Sequence, residues 1–412
     1  MLESKTIRAQ FPMLEKTIMG HPLIYFDSAA TALKPHCVID TLTDFYGNHY
    51  GTVHRAVYSL AAEATRLYDQ ARTTVQKFIQ APSKENIVFT KGTTESINLV
   101  ASSFGKAFIQ PGDEILITEV EHHANIVPWQ IMCQERKAIL KTIPITYEGN
   151  CDLSQFASLL SPKTKIVALP HISNTLGSIF PIKEIIHLSH QQGAKVLIDG
   201  AQSAARIPIN VQDLDADFYV FSGHKCYGPN GIGILYGKEE LLEALPPYQG
   251  GGDMIATVTT EKTTYNHPPL KFEAGTPPIA EAIALGAALR FLQETGMESI
   301  AQHEQDLLHY ATSRLKEFEG LRILGESPHK AGVICFTVQD SHPLDIATLL
   351  DFKGICIRSG HQCSQPTMNK YGLTASCRIS FGIYNTKEEI DLFCQALSNT
   401  LPVSTNQKKF LD

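Results

Sequence analysis

The chain has 412 residues, room for roughly two to three domains, with 43% hydrophobic and 19% charged residues. That is apolar enough for a large buried core and too sparsely charged for a disordered chain. The formal net charge of −7, from 35 basic and 42 acidic residues, comes with no long basic run, so no nucleic-acid partner is expected.

No stretch approaches the roughly 20 apolar residues that cross a bilayer, so no membrane partner is expected. The opening MLESKTIRAQFPMLEK carries no apolar run of signal-peptide length, which predicts a cytoplasmic location. Nine cysteines are scattered, none in a Cys-x-x-Cys pair. That argues against a disulfide framework and a structural zinc site, and no metal-ligand set is predicted.

In chain order, short apolar runs alternate with helical patterns at 86–90 (NIVFT), 114–118 (EILIT), 165–169 (KIVAL), 195–199 (KVLID), 218–222 (FYVFS) and 233–236 (GILY). Runs this apolar predict strands covered on both faces, hence an α/β region with a mostly parallel sheet. From 245 to 278 the glycine triplet 250–252 and three Pro-Pro pairs predict a long irregular connection. A helix is predicted over 279–294. The remainder, to about 398, reads as a smaller α+β unit with strands at 332–338 and 376–381, then a frayed tail. The expected division is a large cofactor-binding domain over 20–275, a smaller domain over 1–19 and 276–404, and a tail over 405–412.

The chemistry concentrates at strand ends. KVLID ends in Asp199 and FYVFS leads into Ser222-Gly223-His224-Lys225. An acid and an amine at the same edge of neighbouring strands suit a pyridine aldehyde. The amine forms a Schiff base and the acid keeps the ring nitrogen protonated. Gly92-Thr93-Thr94 follows another strand and opens a helix, an anion site that Ser222 and His224 would complete, although ordinary capping needs the same residues. His122, after EILIT, offers a flat ring for stacking. The adjacent His122 and His123 do not suggest metal ligation, because neighbouring residues rarely face one ion. Cys363, in the polar RSGHQC, reads as a loop thiol that Arg358 and His361 could push toward thiolate, whereas Cys335 and Cys356 sit in apolar runs and read as core. Arg378, opening a strand pattern, could grip a carboxylate in a bidentate way or form a surface ion pair.

The segments FDSAA (26–30), GTTESINLVA (92–101), EHHANIVPWQ (121–130), ISNTLG (172–177), IDGAQ (198–202), DFYVFSGHKCYGPNGIGILYG (217–237), GGGDMIATV (250–258), FEAGTP (272–277) and RSGHQC (358–363) together resemble class V aminotransferase-fold cysteine desulfurases, and within them the SUF-system (SufS-type) branch. The resemblance covers roughly residues 10–400. It implies the aspartate aminotransferase-like fold (fold type I) and pyridoxal 5′-phosphate held on Lys225. Asp199 would meet the ring nitrogen, Gln202 the ring hydroxyl and His122 the ring face. Thr93, Thr94, Ser222 and His224 would hold the phosphate, with Thr276 reaching the phosphate of the other subunit of a homodimer. Asn174, Arg358, Arg378, His54 and Arg55 would bind substrate. Lys225, His122 and the sulfur-accepting Cys363 would be catalytic. The implied substrate is L-cysteine, or L-selenocysteine, and the implied partner a SUF-system sulfur-acceptor protein serving iron–sulfur cluster assembly.

Departures are mild. Ser359, Gln362 and Ser364 stand where relatives often carry Thr, His and Ala, and Ala56 follows Arg55 where a Gly is usual. Three alternatives stay open: a selenocysteine lyase, a class V transaminase in which Cys363 is incidental, and a catalytically weak scaffold for assembly partners.

Overall fold

The computed structural model describes residues 3–400; the tail expected at 405–412 lies outside them. The first element framing the site is β1, Ile24–Tyr25. The large domain follows with β2, Ile87–Thr90, helix α1, Thr93–Phe108, β3, Glu114–Thr118, and β4, Ile139–Ile143. Its sheet continues with β5, Thr164–Pro170, β6, Lys195–Asp199, β7, Phe218–Ser222, and β8, Gly233–Gly237. Two long helices come next, α2, Ile279–Thr295, and α3, Met297–Leu315. The last strands are β9, Leu321–Leu324, β10, Val333–Val338, β11, Ile355–Cys356, β12, Arg358–Gly360, and β13, Ser376–Ser380.

The large sheet has seven strands in the order β2-β8-β7-β6-β5-β3-β4. β7, β6, β5, β3 and β4 run parallel, and β8 alone is antiparallel to its neighbours. Successive side chains of a strand point to opposite faces. In β5, Val167 and Leu169 therefore join one buried core while Ile166 and Ala168 join the other. Both faces are covered, which is why the strands read as unbroken apolar runs.

β4 escaped the sequence reading. It is the sheet edge, with Ile139 exposed and polar Lys141 and Thr142 in its middle, so it lacks the doubly buried pattern. Asn86, expected in the first strand, instead closes a capping box with Ser83. The connection over 245–278 contains a short exposed hairpin, Ile255–Val258 with Thr263–Tyr265.

The smaller unit is an antiparallel sheet in the order β9-β10-β13-β12, with a third core beneath it. Two crossings bind the units. β1 pairs in parallel with β11 and puts Ile24 and Phe26 into the third core, while α2 packs its buried face into the large-domain core. No helix among the described residues is long and apolar enough to cross a membrane.

Candidate active site

β6 and β7 are adjacent and parallel, so their carboxyl ends open on one crevice, the usual ligand position in α/β sheets. There Asp199 and the turn Gly223–Lys225 meet at a cavity of about 200 Å³. The cavity is lined by Thr93, Thr94, His122, Asp199, Gln202, Ser222, His224 and Lys225 on one side. Asn174, Arg358, Arg378 and Cys363 line the other. Twelve residues from distant segments thus converge on one cavity.

The lysine turn is pinned from behind. The His224 carbonyl accepts from Ala32 N–H at 3.0 Å, from Lys34 Nζ at 2.8 Å and from Thr31 Oγ1 at 3.2 Å. Gly223 admits no side chain, since a Cβ there would lie 2.6 Å from Ile232. Burial lowers the Lys225 amine, with Asp199 pulling the other way. Burial raises Asp199 against a hydrogen bond from Ala201 N–H and the Lys225 charge, that bond being 2.9 Å. An amine eased toward its neutral, nucleophilic form faces a carboxyl eased toward holding a proton.

The anion cup forms where α1 begins. Ser222 Oγ accepts from Thr93 N–H at 2.8 Å and bonds Thr93 Oγ1 at 2.7 Å. The first N–H groups of a helix have no acceptor inside it, and its positive end favours an anion. β8 presses this turn from below: a Cβ on Gly233 would come within 2.3 Å of Gly92 Cα.

His122 Nδ1 accepts from Ala124 N–H at 3.1 Å, leaving the proton on Nε2. Burial, followed by the Lys225 charge, pushes its pKa down to about 3, and His224 falls to about 4 for the same reasons. Both rings are neutral near pH 7. Gln202 is buried and donates to the Ala29 carbonyl at 2.7 Å.

Arg378 is central in β13 and 2% exposed, so the surface ion-pair alternative is excluded. Its Nη1 donates to the Asn174 carbonyl at 3.0 Å and its Nη2 to Asp27 Oδ1 at 2.8 Å. Its Nε is buried with no partner among the described residues. Arg358 stands 3.8 Å from the other Asp27 oxygen. Nothing in FDSAA itself gives Asp27 a role; pairing between β13 and residue 27 creates one. The Asn174 amide donates to the Gln362 carbonyl at 2.8 Å.

Cys363 is half-buried on the lip of the cavity. Its carbonyl accepts from His123 N–H at 2.8 Å and its N–H donates to His361 Nδ1 at 3.1 Å. Ser364 Oγ donates to the Glu121 carbonyl at 2.8 Å. Gln362 and Cys363 both have left-handed backbones, φ 56° and 54°, which non-glycine residues rarely adopt. Cys335 is fully buried, as read from the sequence, but Cys356 is only half-buried.

Three residues expected at this site lie elsewhere in the chain. Thr276, His54 and Arg55 are exposed and do not line the cavity. His54 and Arg55 lie on the loop before the helix Ser59–Phe78, where Arg55 Nε pairs with Asp253 at 3.3 Å.

Residues 24–393 match the family described as Aminotransferase class-V. A probable cysteine desulfurase of Mycolicibacterium paratuberculosis is 54% identical, over 95% of this chain and 57% of its own length. A cysteine desulfurase of Dickeya dadantii is 49% identical, over 93% of each. The chain spans 57%, 66% and 62% of three of the curated relatives it matches. Among solved structures, the cysteine desulfurase CsdA of Escherichia coli is 39% identical, over 97% of this chain and 98% of that one, with a TM-score of 0.90. An apo cysteine desulfurase from Thermococcus onnurineus is 38% identical over the same shares, with a TM-score of 0.92.

The cofactor is pyridoxal 5′-phosphate. The lining fits it: an amine for the aldehyde, a buried acid for the ring nitrogen, a neutral imidazole beside them and a helix N-terminus for the phosphate. With this fold, this cavity and a match over nearly its whole length, the chain belongs to the class-V aminotransferase family.

Proposed function

We propose that the protein is a cysteine desulfurase, converting L-cysteine to L-alanine and passing the sulfur, as a persulfide on Cys363, to an acceptor protein for iron–sulfur cluster assembly. One observation carries this reading: a half-buried thiol stands on the lip of the cavity that also holds the strand-end amine and acid. A transaminase has no use for a thiol there. The names of the relatives support the same reaction.

Lys225 would hold the cofactor, Asp199 its ring nitrogen and Gln202 its ring hydroxyl. Thr93, Thr94, Ser222 and His224 would take the phosphate. Bound there, pyridoxal phosphate supplies an aldehyde for the substrate amine and a sink for electrons. Arg378, held by Asp27, would offer its free Nε to the substrate carboxylate, with Arg358 and the Asn174 amide nearby. Lys225 Nζ would take the Cα proton and return it later. His122 packs as a flat, uncharged wall. Cys363 Sγ then bonds the substrate sulfur as the carbon–sulfur bond breaks. The bonding pair stays with the carbon side, which takes protons to become alanine.

The SUF-type assignment rests on the short loop around Cys363, which keeps the sulfur beside the cavity and calls for a separate acceptor. The chain would work as a homodimer, with Thr276, His54 and Arg55 of one protomer completing the cavity of its partner. The exposed Tyr46, Tyr50, Val57 and Tyr58 near His54 are suited to burial in such a contact.

The test is product analysis after incubation with L-cysteine. With a dithiol added to reduce the Cys363 persulfide and release its outer sulfur as sulfide, alanine and sulfide in equal amounts, lost in Cys363→Ala, are expected. A keto acid would return the chain to the transaminases. Selenocysteine turnover that survives Cys363→Ala while cysteine turnover never exceeds background would favour a selenocysteine lyase.

A further inference from the structure

Outside the cofactor's ligands, one cluster of metal-capable side chains stands out. His123 follows β3, while His361 and Cys363 lie in the loop after β12. One ligand atom from each, two imidazole nitrogens and the thiol sulfur, lies within 4.8 Å of the others. The two rings face each other with centroids 5.5 Å apart and planes 35° apart. Neither imidazole lines the cavity, so cofactor binding does not account for their meeting.

We propose that His123, His361 and Cys363 form a site for a thiophilic divalent ion, zinc in the first place, which caps the Cys363 thiol.

The donor set suits that ion. Two imidazoles and a thiolate bind zinc at about 2.0–2.3 Å, and three protein ligands leave a fourth position open to water or a second thiol. Tetrahedral bonds of that length set ligand atoms about 3.5 Å apart, so the cluster must close by about an ångström. The required lone pairs already point at the loop. His361 Nδ1 accepts from Cys363 N–H, and His123 Nε2 accepts from Gln365 N–H at 3.1 Å. An ion taking these lone pairs replaces two amide hydrogen bonds of 3.1 Å and needs no change of tautomer. The thiol gives its proton to solvent as the sulfur–metal bond forms; no electrons are exchanged. The left-handed pair Gln362 and Cys363 gives the loop a strained conformation it can leave.

Zinc binding as such does not depend on the desulfurase reading; only its consequence, a reversible block of sulfur acceptance, does. The ligands come from loops far apart in sequence, which is why their spacing gave no metal signal.

The test uses the holoprotein with one equivalent of zinc. Affinity is read by competition with a chromophoric chelator, and Cys363 by peptide mass spectrometry after timed alkylation. Zinc is expected to slow Cys363 alkylation at least tenfold, to leave labelling of the half-buried Cys37 and Cys356 unchanged, and to be reversed by EDTA. His123→Ala and His361→Ala are each expected to weaken zinc at least tenfold while keeping the yellow colour. His123→Gln and His361→Gln, which still accept the loop amides, stand in if an alanine variant unfolds. Zinc affinity equal in the wild type and the histidine variants, or bound zinc without protection of Cys363, would overturn the site. Protection without alanine production would contradict the function and leave the site standing.

Discussion

At the scale of single residues, the chemistry turns on groups whose surroundings fix their protonation. Lys225→Ala should abolish both the yellow colour and turnover, since among the described residues no other amine lines the cavity. Asp27→Asn is expected to act differently. It removes the charged partner of Arg378, and a charge-assisted bond contributes about 1.5–3 kcal/mol. The KM for cysteine should rise about tenfold or more, with the cofactor spectrum unchanged; an unchanged KM would show that Asp27 does not hold the guanidinium. Asp27 could not be read as a partner of Arg378 from sequence, because the two meet only once β1 has joined the smaller unit. Lys225 and Asp199 were readable, since apolar strand patterns end at each and neighbouring parallel strands put both ends on one crevice.

At the scale of elements, the phosphate cup depends on β8 lying against the Gly92 turn with no side chain between them. Gly233→Ala inserts a methyl 2.3 Å from the Gly92 Cα, and overpacking of this kind costs about 1–3 kcal/mol. We expect weaker retention of the cofactor on dialysis and a lower melting temperature. Retention equal to the wild type would mean that the turn is free to move. The apolar strands that build this cup were legible because both faces of the sheet are covered. Edge strand β4 was not, since half of its side chains face solvent. The cysteine loop was legible as polar and glycine-containing, but not its anchoring, which comes from backbone groups of Gln362 and Cys363 bonding Asn174 and His123 across the two units.

At the scale of the whole molecule, the long connection that leaves the large sheet is bolted down by one buried ion pair. Arg72 Nη1 and Nη2 grip Glu273 at 2.7 and 2.8 Å. The same carboxylate accepts from Phe89 N–H at 2.7 Å and from Tyr68 at 3.2 Å. Glu273→Gln would leave a buried guanidinium without its counter-charge, a loss of about 3–5 kcal/mol, measurable by urea unfolding. A loss below about 1 kcal/mol would show that Arg72 finds water.

Stability should also depend on pH through buried imidazoles. Burial pushes His171 down to about 4, while an unfolded histidine titrates near 6.5. Between those values the unfolded chain takes a proton that the native state refuses. Stability from this group is therefore complete above about pH 6.5 and is lost as pH falls toward 4. In His171→Gln, cofactor-free, the acid slope should be shallower by up to about 1.4 kcal/mol per pH unit. Parallel slopes in variant and wild type would contradict the assignment.

The most direct test of the central claim, that the lip thiol takes sulfur from a substrate held over Lys225, is peptide mass spectrometry of the holoprotein after brief mixing with L-cysteine and no acceptor. One added sulfur atom on the peptide containing Cys363, absent in Lys225→Ala, is expected. Alanine formed while that peptide stays unmodified, with the added sulfur on another cysteine or on none, would contradict it.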